Sequence, residues 1–201
     1  TDGKPLWLAT GNGPNTEVPL GGVAIDANDA IYMSGRYKDS VTFYSEGRDS
    51  SVSLNSSQGG SDVFVAKYHK NGTVQWAQRY GGSGNFDEPF GMTGLNSGTA
   101  IGGRFQSTAT FGVHTVTSAG QEDGFVARID ATGAVNWVHR FGGPGNIEIA
   151  NDVATDIEGN VYIAGMVQEG AEVGGTDLPD YGAADAIIAK YCADGSFDWV
   201  K

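Results

Sequence analysis

The residues best suited to chemistry in this chain are three histidines, His69, His114 and His139, and one cysteine, Cys192. A zinc site needs several such ligands to converge, and no HxH or HxxxH pair brings two together locally. Counting seven residues on from Asp62, Asp123 and Asp185 gives His69, Asp130 and Cys192. A position that accepts all three side chains is not held to one ligand chemistry. Cys192 has no neighbouring histidine to activate it as a nucleophile. Asp26, Asp29, Asp156 and Glu158 offer oxygen ligands of the kind calcium takes. Their strings D-A-N-D-A and D-I-E-G-N lack D-x-D-x-D-G spacing and read as hairpin turns. Two glycine strings, GGSGN at 81–85 and GGPGN at 142–146, have no G-x-x-x-x-G-K-[ST] and no following helix, so they read as close backbone crossovers rather than phosphate loops. No residue is assigned a catalytic, cofactor-binding or metal-binding role.

The elements that would carry these residues repeat. Trp7, Trp76, Trp137 and Trp199 are spaced 69, 61 and 62 residues apart, and each follows a glycine by four: Gly3, Gly72, Gly133 and Gly195. Asn-Gly and Asp-Gly at these points tolerate the positive φ that tight hairpins need. Asp62, Asp123 and Asp185 each open an apolar strand 14 residues before a tryptophan. Acids in so fixed a register are expected to cap turns by accepting backbone N–H groups. Further hairpins, VAIDANDAIYMSG and VATDIEGNVYIAG, end at Gly35 and Gly165. The repeats run approximately 7–75, 76–136 and 137–199, within one region spanning 1–201. Each holds about four strands, in the first repeat near 23–26, 30–37, 41–44 and 63–69, with the tryptophan strand crossing into the next unit. The first repeat carries an insertion at Tyr44 to Ser57. No segment needs a helix. EIANDVATDIEGN could pass for one, but its repeat partner VPLGGVAIDANDA could not.

Together these motifs resemble the bacterial SBBP family, named for seven-bladed β-propeller repeats. The family pattern resembles a W-x4-GG start, a D-x-x-GN-x-Y-x-x-G hairpin and a D-x-F-x-x-K-x-x-x-x-G-x-x-x-W end, and all three repeats carry parts of it. The resemblance implies an all-β fold, a β-propeller of four-stranded blades with about three present. It also implies a large exported or cell-surface bacterial protein without assigned enzymatic activity. Because closed propellers need at least four blades, the ring is expected to be incomplete or part of a larger assembly. The lack of any capping sequence favours a part of a longer protein. The tryptophans also invite comparison with quinone-dependent dehydrogenases, whose motif resembles A-x-D-x-x-x-G-x-x-x-W. Here Asp130 reaches Gly133 in three residues, not four, so the tryptophans read as blade-docking aromatics.

Composition agrees. Thirty-two glycines without a three-residue period, among recurring β-branched and aromatic residues, mean many turns between short strands. A formal net charge of −12 repels phosphate backbones and anionic membrane surfaces, so neither nucleic acid nor membrane insertion is expected. One cysteine excludes an intramolecular disulfide. The resulting expectation is a non-catalytic structural or adhesive module, extracellular or at the cell surface, with no cofactor. Its partners would be other protein chains or copies of itself, with the 44–57 insertion as a contact loop. The alternative is a carbohydrate- or calcium-binding, lectin-like propeller, using aromatics such as Tyr37, Tyr44 and Phe86 to stack on glycans.

Overall fold

The computed structural model describes residues 5–15, 17–55, 57–145, 147–179 and 182–201. Gly3, Ser56 and Asn146 of the motifs above lie outside them. A short strand β1 (Thr10–Asn12) is followed by the hairpin β2 (Glu17–Ile25) and β3 (Ile31–Tyr37). A second hairpin, β4 (Val41–Tyr44) and β5 (Ser51–Leu54), turns through a 3-10 segment at Glu46–Arg48. The chain then returns as β6 (Asp62–Tyr68) beside β3, and β7 (Val74–Gly82) closes the sheet. The same order recurs as β8 (Glu88–Gly94), β9 (Thr99–Phe105), β10 (Thr108–Phe111), β11 (His114–Thr117), β12 (Asp123–Ile129) and β13 (Val135–Gly142). It recurs again as β14 (Ile149–Thr155), β15 (Val161–Val167), β16 (Glu172–Val173), β17 (Thr176–Asp177), β18 (Asp185–Tyr191) and β19 (Phe197–Val200).

Four antiparallel sheets result, β1-β4-β5, β11-β10-β7-β6-β3-β2, β17-β16-β13-β12-β9-β8 and β14-β15-β18-β19. Each of the last three contains a four-stranded, blade-like unit: β2-β3-β6-β7, β8-β9-β12-β13 and β14-β15-β18-β19. The architecture is all-β and propeller-like, and the blades form an open stack rather than a closed ring. Among the described residues there is no α-helix, and the ambiguous stretch near 149–155 is strand β14. The blade differs from the expected unit in two respects, the first of them its last strand. The tryptophan strand is the fourth strand of its own blade, not the first of the next. The reason is local. His69 N–H bonds Thr73 O at 2.9 Å and Gly72 N–H bonds His69 O at 2.8 Å, a tight hairpin that leaves its two strands no choice but to pair. Gly72, Gly133 and Gly195 sit at φ of 84°, 89° and 92°, and the ladder slips one residue at Lys67/Tyr68, Arg128/Ile129 and Lys190/Tyr191, the bulge such turns require.

The strand expected at 41–44 leaves the blade. With β5 it forms a clip that reaches backward, and β4 pairs with β1. The equivalent clips β10–β11 and β16–β17 pair with β7 and β13, the outer strands of the blades before them. Within the 44–57 insertion β5 pairs with β4, while its tip at 46–50 is exposed. Ser45 is buried, and its hydroxyl accepts the Val74 N–H at 2.9 Å.

Packing between blades uses both faces of the middle strands. Val63 and Val65 of β6 meet Ile101, Phe105 and Phe125 of the second blade. Val126 and Trp137 of the second blade meet Ile163, Ile187 and Tyr191 of the third. This explains why β6 reads as a nearly continuous apolar run rather than an alternating one. Where the inner strands meet, side chains give way. A Cβ on Gly91 would lie 2.6 Å from the Asp152 Cα of the next blade.

Three of the tryptophans dock on the following blade's last hairpin. Trp7, Trp76 and Trp137 donate Nε1–H to the carbonyls of Lys70, Ala131 and Ala193 at 2.9, 3.0 and 3.2 Å. The Trp137 ring lies so close that a Cβ on Gly195 would be 2.7 Å from it. Trp137 is buried between two blades, whereas Trp199 packs beside Tyr162 and stays partly exposed. Trp137→Ala is expected to cost about 3–5 kcal/mol in urea unfolding, and Trp199→Ala less than half of that.

Candidate functional site

The two junctions between blades gather the buried acids Asp62, Asp87, Glu88, Glu122, Asp123 and Glu148. Two of the strand-opening aspartates, Asp62 and Asp123, cap the turns before them, as their register implied. Asp62 accepts the Gln58 N–H at 2.7 Å, and Asp123 accepts those of Ala119 and Gly120 at 3.1 to 3.2 Å. Arg79 pairs with Asp62 at 3.0 Å, and Arg140 pairs with Asp123. Each aspartate also meets a second acid from the next blade that sequence reasoning missed. Asp87 hydrogen-bonds Asp62, and Glu148 faces Asp123. The signal was present: PNTE, GNFD and GNIE place Glu17, Asp87 and Glu148 just after the glycine-rich crossover in every repeat.

Asp62 and Asp87 converge beneath Gly81, where a Cβ would lie 2.4 and 2.6 Å from their oxygens. Asp87 also accepts N–H groups from Gly82 at 2.7 Å and Gln106 at 3.2 Å. Burial, reinforced by the Asp62 charge against those N–H bonds, pushes Asp87 up to about 7. Burial and the Asp123 charge push Glu148 up to about 7 as well. Both acids are fully buried, and each lies close to an aspartate of the blade before it.

Above the first acid pair runs a chain of ion pairs. Arg36 of β3 pairs with Glu88 of β8. Glu88 also takes Arg104 at 2.6 Å, and Arg104 takes Glu122 at 2.7 Å. Beside Arg36 opens a cleft of about 350 Å³ lined by Arg36, Lys38, Gly60, Ser61, Asn85 and Phe86. The backbone here is fixed: Ser61 N–H bonds Asn85 O at 3.1 Å and Asp87 N–H bonds Ser61 O at 3.0 Å. Ser61 is 8% exposed, and its hydroxyl has no hydrogen-bond partner. Phe86 is 44% exposed, with the Arg36 guanidinium 5.9 Å from its ring centre.

The other candidates separate. Tyr37 is buried edge-on to Phe64, and Tyr44 lies under Arg48, so of the three aromatics only Phe86 fronts this cleft. Asp26 accepts the N–H groups of Asn28, Ala30 and Gly98 and the Tyr32 hydroxyl. Burial would raise its pKa, but those four donors hold it below the usual range. Asp156 is bonded in the same way by Glu158, Asn160 and Tyr162. Among the described residues, no three acids, histidines or cysteines gather as metal ligands would. His114 and His139 bond the carbonyls of Val135 and Gly195 at 3.1 and 2.7 Å; His69 and Cys192 begin hairpin turns.

The raised acids make stability depend on pH. An acid with a folded pKa of about 7 and an unfolded value near 3.8 binds its proton more tightly when folded. Its contribution is largest below the unfolded value and is lost as pH rises toward about 7. The melting temperature is expected to be higher at pH 5 than at pH 7.5. Asp87→Asn and Glu148→Gln should each raise it at pH 7.5 and flatten the slope, and a slope unchanged in both variants would count against the raised acids. Below pH 4 the trend reverses as Asp26 is protonated.

Residues 136–166, from the strand of Trp137 through most of β15, match the SBBP family model, a beta-propeller repeat. No match is found among curated proteins.

Proposed function

We propose that this chain, which carries an SBBP beta-propeller repeat, is a non-catalytic structural or adhesive module. It works by joining its blades to further blades, of the same polypeptide or of another copy, in an exported or cell-surface bacterial protein. The observation that supports this reading is the pair of uncovered flanks. On the last blade Ile188 is 45% exposed, whereas its repeat counterparts Val65 and Val126 are fully buried against a following blade. Ile188 lies in a shallow open cleft with Asp152, Ala154, Tyr162 and Ala164, and Asp185 is partly exposed where Asp62 and Asp123 are buried.

The first blade offers the opposite surface. Val23 and Ile25 are 66% and 62% exposed. Glu17 stands where Asp87 and Glu148 meet an aspartate of the blade before, and its buried Oε1 has no partner. Surfaces that differ from each other and complement each other form head-to-tail contacts, and exposed apolar area at such sites favours association. No helix of the described residues is long and apolar enough to cross a membrane.

Sedimentation velocity of residues 1–201 is expected to show reversible, concentration-dependent association. Ile188→Lys and Val23→Lys should each abolish it, because either change removes one of the two complementary faces. A chain that stays monomeric throughout would sink the reading. A second reading, binding of carbohydrate, is favoured by the exposed Phe86 ring beside Arg36 and Lys38.

A further inference from the structure

We propose that the cleft between the first two blades binds a small ring-bearing carboxylate, of the class of a hexuronic acid sugar. The inference rests on the second reading above and is independent of the scaffold role.

The chain supplies its own comparison, because the second junction repeats the first. The parallel bridge Ser61↔Phe86 of the first recurs as Glu122↔Ile147 in the second. Arg104 stands in β9 where Arg36 stands in β3, and Gln106 follows Arg104 by two residues as Lys38 follows Arg36. In the second junction the Glu122 carboxylate sits on Arg104 at 2.7 Å and accepts the Gln106 side-chain N–H at 2.8 Å. The protein thus fills that place with a carboxylate of its own.

In the first junction the place of Glu122 is taken by Ser61, whose side chain stops at a hydroxyl. The basic residue is kept, and Lys38 puts a second cation where the other junction has an amide. Arg36 has only a share of Glu88, which it divides with Arg104. What the missing side chain leaves is the open cleft, with the unpartnered Ser61 hydroxyl in its wall. An incoming carboxylate would stand in for that of Glu122, forming charge-assisted bonds to Arg36 and Lys38 and taking the Ser61 O–H.

The remaining lining suits a sugar ring. Phe86 is 44% exposed at one side of the cleft, and such a ring gives a flat apolar platform. Asn85 and the backbone of Gly60 supply polar groups for hydroxyls. The cleft lies within the size range of small-ligand sites.

Ligand-observed NMR titration of the whole 201-residue chain with sodium glucuronate, glucose and acetate tests this. Saturable glucuronate binding is expected, with glucose and acetate each at least about tenfold weaker. Ser61→Glu would place the second junction's own carboxylate in the cleft. It and Arg36→Gln should each weaken glucuronate at least about tenfold, with the melting temperature of Ser61→Glu no lower than that of the parent. No saturation by glucuronate, or glucose binding equally well, would overturn carboxylate recognition, and the second result would leave a neutral-sugar lectin standing. Acetate binding as tightly as glucuronate would overturn the sugar class. Undiminished binding by Ser61→Glu would overturn the location.

Discussion

The stack depends on one contact, a tryptophan ring laid on the left-handed glycine of the next blade's hairpin. Only a residue without a Cβ allows the ring to come so close, as Gly195 does beneath Trp137. The same hairpin turns out its carbonyl to the indole N–H, so the large apolar surface and its single polar group are satisfied together. Lys67 and Arg128 add donors to the carbonyls of Ala131 and Ala193, which already accept from Trp76 and Trp137. Because the hairpin is built within one blade and read by its neighbour, local turn chemistry and blade spacing are set by the same few residues.

Polar groups then decide how the blades are keyed. Backward clips add strands to the edges left by the preceding blade, which satisfies backbone groups that would otherwise lie open to pairing. The aromatic clip residue Phe111 stacks on Tyr80 at 5.8 Å and touches Phe125 at 4.8 Å, tying clip, preceding blade and own blade into one cluster. Deeper in, a buried acid of one blade lies close to the strand-opening aspartate of the blade before it. Acid pairs of this kind give little stability near neutrality, since buried carboxyls favour the protonated form. Their geometry selects a neighbouring blade that brings its acid to the right place.

Repetition also makes departures informative. Arg36 and Arg104 occupy matching places, yet one faces the carboxylate of Glu122 and the other faces a serine and a cleft. The scaffold tolerates that change because Ser61 and Glu122 are tied to the crossover through main-chain atoms, so their side chains are free to differ. A site can arise at one junction without disturbing the frame common to both.

Much of the fold was legible in the sequence, since its signals are local. The positive-φ glycines, the aspartates at strand openings and the evenly placed tryptophans act within a few residues of where they stand, and the repeat period multiplies each signal. From these the strand content, the hairpins and the turn-capping role of Asp62 and Asp123 followed. The acids Asp87 and Glu148 were also periodic, but their meaning lay in partners about 25 residues away, 62 with 87 and 123 with 148. Which blade the tryptophan strand completes, where the 41–44 strand pairs, and that Phe86 is exposed while Tyr37 is buried were decided only by tertiary structure. The alternation of a strand states which residues share a face, whereas the neighbour that covers the face is chosen by contacts between blades.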